Sequence, residues 1–223
     1  MNYSKIFTIA FAVAVSCLVS KSEAQLSYEF RFGASNYDVT PGSTVDIDFF
    51  LRETVSGGAD SVLQPGNDDG LGSYGLNIDF SSIAGVGTGS TIASATDVVI
   101  NTIFDDFIAN DVTLLASSAD VAGVTTDPNG EDGTLVSANI YEILLGTVTV
   151  TAGDEGTVTT FALSDHTDTA TVFSTLIDDS NFIDIDATAS YGSTTISVVA
   201  IPEPAAAVIL VGLAGFAAVR RRR

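Results

Sequence analysis

Thr44-Val45-Asp46-Ile47-Asp48-Phe49-Phe50-Leu51 sets Val45, Ile47, Phe49 and Leu51 on one parity and the carboxylates of Asp46 and Asp48 on the other. Successive side chains of a strand point to opposite faces, so this stretch reads as a β-strand with one apolar and one solvated face. The period recurs on both sides of it. Leu26, Tyr28, Phe30 and Phe32 alternate before it, and Tyr74, Leu76, Ile78 and Phe80 after it. Residues 141–150, 157–163, 184–189 and 194–200 continue the pattern with β-branched residues. Nine or ten strands are expected. Sustained helical spacing is confined to the two terminal apolar segments, and residues 101–115 read as a short helix or an irregular strand pair. Antiparallel strands with one apolar face must cover it with a second sheet, which predicts an all-β sandwich, with a closed barrel as the alternative.

Two longer loops punctuate the strands. Residues 55–73 are rich in glycine and hold Asn67, Asp68 and Asp69; residues 120–133 hold Asp127-Pro128-Asn129-Gly130-Glu131-Asp132-Gly133. Oxygen ligands at Asp127, Asn129, Glu131 and Asp132 in a glycine-containing loop form a candidate calcium site, as hard cations require. The glycine after Asp132 is displaced by one position from an EF-hand loop, and no bidentate Glu follows at the needed distance. The competing reading is an Asx-rich turn, in which Asp and Asn bond their own backbone.

Charge is distributed unevenly. The 223-residue chain has a formal charge of −20, but Lys5, Lys21 and Arg220 to Arg223 lie at its ends. Between Gln25 and Ala200 only Arg31 and Arg52 face 26 carboxylates, a formal charge of −24. Such a surface repels nucleic acid and anionic lipid, so no nucleic-acid partner is expected. It favours solubility and suits salty water, where self-repulsion is screened. Cys17, the single cysteine, lies outside that span, so its stability rests on core burial. The same span lacks lysine, which excludes lysine-based isopeptide staples.

Both ends read as targeting segments. Lys5, the apolar stretch 6–19 and Ser22-Glu23-Ala24 form a signal peptide cleaved between Ala24 and Gln25. Ala14-Val15-Ser16-Cys17 offers a looser lipoprotein alternative. At the other end Pro202-Glu203-Pro204 precedes an unbroken apolar run from Ala205 to Val219, then Arg220, Arg221, Arg222 and Arg223. As a helix the apolar run spans roughly 22 Å, short of the ~30 Å hydrocarbon core. It would cross only with thinning or snorkelling, with the arginines held on the cytoplasmic side. The prolines leave an extended, protease-accessible segment at the membrane surface. The division expected is 1–24 signal peptide, 25–200 β-sandwich and 201–223 sorting tail.

Ile201-Pro202-Glu203-Pro204, the glycine-containing apolar stretch and the arginine cluster resemble the tail of PEP-CTERM proteins. The resemblance covers about a tenth of the chain. It implies recognition by an exosortase-type membrane protease that cuts near Pro-Glu-Pro. It also implies a precursor tethered transiently to the inner membrane through the C-terminal helix, then an envelope or extracellular location in a polysaccharide-producing Gram-negative bacterium.

A second resemblance runs through the body. Residues 39–47, with Pro41-Gly42, then Gly72-Ser73-Tyr74-Gly75-Leu76-Asn77-Ile78-Asp79-Phe80, then Gly133-Thr134-Leu135 leading to residues 145–150, resemble the cohesin and carbohydrate-binding-module superfamily. That implies a single antiparallel jelly-roll-like sandwich of about nine strands, flanked by a signal helix and a C-terminal hydrophobic helix. Its relatives bind dockerin modules or polysaccharide. No contact residue carries over, and the absence of tryptophan removes the commonest sugar-stacking side chain.

Catalytic constellations are scarce. His166, the sole histidine, reads as a solvated loop residue. Zinc would need mostly carboxylate ligands, which structural sites do not favour. The pairs Asp105 with Asp106 and Asp178 with Asp179 keep a secreted glycoside hydrolase as an alternative, since that chemistry uses two carboxyls about 5 to 9.5 Å apart. The reading with most support is an exported, non-enzymatic envelope or matrix protein, with no cofactor other than the candidate calcium. A cohesin-like or polysaccharide-binding module is the first alternative.

Overall fold

The alternating segment 44–51 is the middle of the strand that organises one whole sheet. The computed structural model describes residues 25–104, 111–166, 175–177 and 183–200. The signal segment, the tail from Ile201 onward, Asp105, Asp106, Asp178 and Asp179 lie outside them. In the first sheet β3 (Thr44–Ser56) pairs antiparallel with β1 (Gln25–Phe32) and with β9 (Ile140–Thr151). β5 (Val98–Ile100) and β8 (Thr134–Ser137) pair with β9, and β13 (Ser190–Tyr191) pairs with β1.

The second sheet is built on β4 (Leu71–Ala84). β7 (Ser118–Val124) lies along one of its edges and carries β6 (Asp111–Leu114). The other edge takes β10 (Val158–Asp165) and then β11 (Leu176–Ile177), which carries β12 (Ile183–Asp184). β14 (Ser193–Val198) pairs with β10, and β2 (Asn36–Val39) closes that side.

The fold is thus all-β and sandwich-like, as expected, with differences of detail. Fourteen strands occur among the described residues, because β2 and β11 to β13 are too short to show a period in the sequence. The sheets are mixed rather than antiparallel: β1 with β13 and β2 with β14 run parallel. Residues 101–115 hold a turn whose Asn101 carbonyl accepts from the Phe104 N–H, then, after residues 105–110, β6. Asp120, read as loop, lies in β7.

One core fills the space between the sheets. Phe30, Ile47, Phe49, Leu51, Leu145 and Val148 from the first sheet are fully enclosed with Tyr74, Leu76, Ile78, Val121, Phe161 and Ile196 from the second. Complete burial of each large apolar side chain stabilises by roughly 1.5–3 kcal/mol. The Tyr74 hydroxyl donates across the core to the Leu145 carbonyl at 3.0 Å, and its ring meets Phe104 edge-on at 4.9 Å. Gly123 makes room for that ring, since a Cβ there would stand 2.5 Å from Tyr74 Cε1.

The two ends of the body travel together. β1 and then β2 run side by side, in the same direction, with β13 and then β14, so both pairs cross from the first sheet to the second. Val39 ends opposite Val198, which places Ala200 at the pole opposite Gln25.

Candidate functional site

Parity on β3 puts Asp46, Asp48, Phe50 and Arg52 on the outer face of the first sheet, and strand register supplies their neighbours. Arg31, Phe50 and Leu144 form one cross-strand row, and Glu29, Arg52 and Glu142 the next. Three bonds converge on one oxygen, Glu142 Oε1: Arg31 Nη1 at 2.9 Å, Arg52 Nε at 2.7 Å and Arg52 Nη2 at 2.6 Å. Arg52 Nη1 also lies 3.6 Å from Glu29 Oε2. Both arginines of the body therefore meet on this one face, about a quarter exposed. Further along, the hydroxyls of Thr147 and Thr149 each donate at 2.6 Å, to Asp48 and Asp46. Tyr37 borders the face: its hydroxyl accepts from the Ala34 N–H at 3.1 Å. Burial raises that phenol, Asp48 adds to the effect, and the Ala34 bond and Arg31 oppose it, so the group stays a neutral hydroxyl at physiological pH.

Chemically, this face offers a half-buried aromatic ring, two guanidinium groups, carboxylates and hydroxyls on one side of a single sheet. Polyhydroxyl ligands use such groups, with C–H faces on the ring and hydroxyls on the charged edges.

The inner face of the same sheet carries a second carboxylate. Glu53, fully buried near the end of β3, accepts from four donors: Tyr28 Oη at 2.9 Å, the Ser61 hydroxyl, and the backbone N–H groups of Val62 and Leu63 at 3.0 and 3.2 Å. It pins the 57–70 loop to the sheet. Beside it a recess of about 400 Å³ is lined chiefly by Leu26, Tyr28, Val62, Ile177, Ile183 and Ile185, without an acidic side chain. On the second sheet the Asn77 amide donates at 2.9 Å to Asp120, and both are buried.

The candidate calcium residues occupy a loop that zips onto the first long loop. Leu71 and Glu131 exchange backbone bonds of 3.0 and 2.9 Å, and the Gly133 N–H donates to the Leu63 carbonyl. Asp127 Oδ1 accepts from the Asn129 N–H at 2.9 Å, the turn geometry of the competing reading. Glu131 Oε1 accepts from the Thr125 hydroxyl and Asp132 Oδ2 from the Gly66 N–H. Gly70 and Gly130 stand backbone to backbone, where a Cβ on either would approach the other to 2.7 Å or less. Each acidic member thus holds a different part of the loops. Among the described residues no three His, Cys, Asp or Glu side chains converge as metal donors.

His166 follows β10, and its N–H donates to Asp165 Oδ1 at 2.8 Å. Asp165, Asp184 and Asp186 lie close enough to act on Tyr191. Burial raises Asp186, the bonds from Thr175 oppose it, and the other two carboxylates add to it. The sorting residues Pro202, Glu203, Pro204 and Arg220 to Arg223, and Ala24 of the cleavage site, lie outside the described residues; Gln25 is the exposed first residue of β1. Among the described residues no helix is long and apolar enough to cross a membrane.

Neither Glu53 nor the Glu142 cluster was singled out from sequence. Parity was the available signal for the first, because Glu53 stands next on the row Ile47, Phe49, Leu51. No protein-family model matches the chain, and none of the curated proteins matches it.

Proposed function

We propose that the protein is exported and sorted by an exosortase-type membrane protease, and serves without enzymatic activity as a component of the cell envelope or extracellular matrix. The observation that carries this is the order Pro202-Glu203-Pro204, apolar run 205–219, Arg220 to Arg223, set at the far end of the chain from Ser22-Glu23-Ala24. The body between them supports the reading: it is disulfide-free, carries −24 formal charges and ends its last strand at the pole away from Gln25. The signal helix, the C-terminal hydrophobic helix and the jelly-roll form of the sandwich belong to the same proposal.

Replacing Pro202-Glu203-Pro204 with three alanines tests it. Uncut precursor should accumulate in the inner-membrane fraction; release equal to wild type would refute the sorting role.

A second reading has its own observation, the outer face of β1, β3 and β9. Phe50 between Arg31 and Leu144, next to the row Glu29, Arg52, Glu142, supports binding of a neutral polysaccharide, which the acidic body does not repel. Native electrophoresis through a gel containing a soluble neutral glucan tests this, with retardation expected and unchanged mobility contradicting it.

A further inference from the structure

The first and last segments of the body form a parallel ribbon. Glu29 and Phe30 stand opposite Ser190 and Tyr191, and Asn36 to Val39 opposite Thr195 to Val198. Three backbone bonds outside the strand ladders fasten the two halves along the ribbon. Gly192 N–H donates to Phe30 O at 2.8 Å, Thr195 N–H to Ser35 O at 3.2 Å and Val199 N–H to Val39 O at 2.9 Å; separately, Gly156 N–H ties Val198 O to the loop before β10 at 2.9 Å. Side chains add to it: Asn36 Oδ1 accepts from the hydroxyls of Thr195 and Ser197.

The direction of the strands decides what tension would do. A pull on Gln25 draws β1 and β2 backward, and a pull on Ala200 draws β13 and β14 forward, so the two halves of the ribbon slide past one another. The bonds between them then share the load and must fail together. The outer neighbours, β3 against β1 and β10 against β14, are sheared along the same axis. A pull between two points at one pole would instead open the strands one pair at a time.

We propose that this ribbon is a shear clamp, which makes the body resist tension applied lengthwise between Gln25 and Ala200 far better than tension applied across one pole. The clamp itself is a property of the fold and stands or falls separately from tail cleavage.

Single-molecule pulling on the full chain with Cys17→Ser tests it, using two attachment pairs. Gln25→Cys with Ala200→Cys loads the strands lengthwise. Glu155→Cys with Ala200→Cys loads two neighbouring points at one pole, because Gly156 bonds Val198 there. Forced unfolding reports the barrier to unfolding. The lengthwise pair should rupture at several-fold higher force. Val199→Pro, which deletes one exposed-end clamp bond, should lower the lengthwise force. Equal forces in the two geometries, or a lengthwise force unmoved by Val199→Pro, would overturn the proposal.

Discussion

Glu53 and Glu142 belong to one sheet, on neighbouring strands, and differ in which face they occupy. Glu53 points inward, is fully buried, and accepts only from neutral groups: a phenol, a hydroxyl and two backbone N–H groups. Glu142 points outward and takes both guanidinium groups of the body on one oxygen. The difference teaches that parity, not residue type, assigns the job. An inward carboxylate is tolerable only when donors surround it, which turns it into a staple for the loop that supplies them. An outward one can take charged partners instead, and Glu142, its side chain 12% exposed, holds the two arginines of the body together on the outer face.

The same substitution on both faces gives the sharpest contrast. Glu53→Ala leaves four buried donors without their acceptor and should cost about 3 kcal/mol or more, given about 1–3 for each buried group left unsatisfied. In a domain of this size that lowers Tm by roughly 6–12 °C. Glu142→Ala should cost less, about 1–2 kcal/mol: its side chain is 12% exposed, but the arginines it leaves behind are a quarter or more open to water and can turn to solvent. Equal losses in thermal unfolding would break the comparison.

Next comes the bond across the core. Tyr74→Phe removes the hydroxyl that reaches Leu145 and should cost about 1 kcal/mol. It should also alter the alkaline limb. Burial raises the Tyr74 phenol, so the unfolded group ionises near pH 10 while the folded one stays neutral. Its contribution is therefore complete below about pH 10 and is lost as pH rises further. Tyr191 is raised too, by burial first and then by Asp186, Asp165 and Asp184. Denaturant titrations from pH 8 to 11 should show a shallower fall for Tyr74→Phe; identical slopes would contradict this assignment.

Smaller effects on stability are expected on the outer face, with larger ones on binding. Phe50→Ala and Arg52→Ala should leave Tm within a few degrees of wild type yet remove retardation by neutral glucan, and undiminished retardation would exclude this face as the platform. The smallest effect expected is that of calcium. Asp127 and Asp132 already accept backbone N–H groups in separate places, so millimolar calcium should leave Tm unchanged. A rise with added calcium would contradict this and support the metal reading of Asp127, Asn129, Glu131 and Asp132.

How much of this was legible follows from the range of each interaction. Period two exposed β1, β3, β4, β9, β10 and β14 because one buried face marks every second residue. It also held the clue to Glu53, although a glutamate near a strand end reads locally as solvated. The donors that satisfy it, Ser61 to Leu63, lie in a loop whose path no periodic signal fixes. Asn36 and Thr195 are separated by most of the chain, and β2 has four residues, so neither the parallel ribbon nor its direction was readable. The two long loops were visible as loops. Their mutual zipping through Leu71 and Glu131 was not, since it depends on two glycine backbones meeting.

The most direct test of the export and sorting account is the intact mass of the protein recovered from outside the cells that make it. The account predicts a polypeptide beginning at Gln25 and lacking Arg220 to Arg223. A mass corresponding to Met1 through Arg223, with both ends uncut, would contradict it.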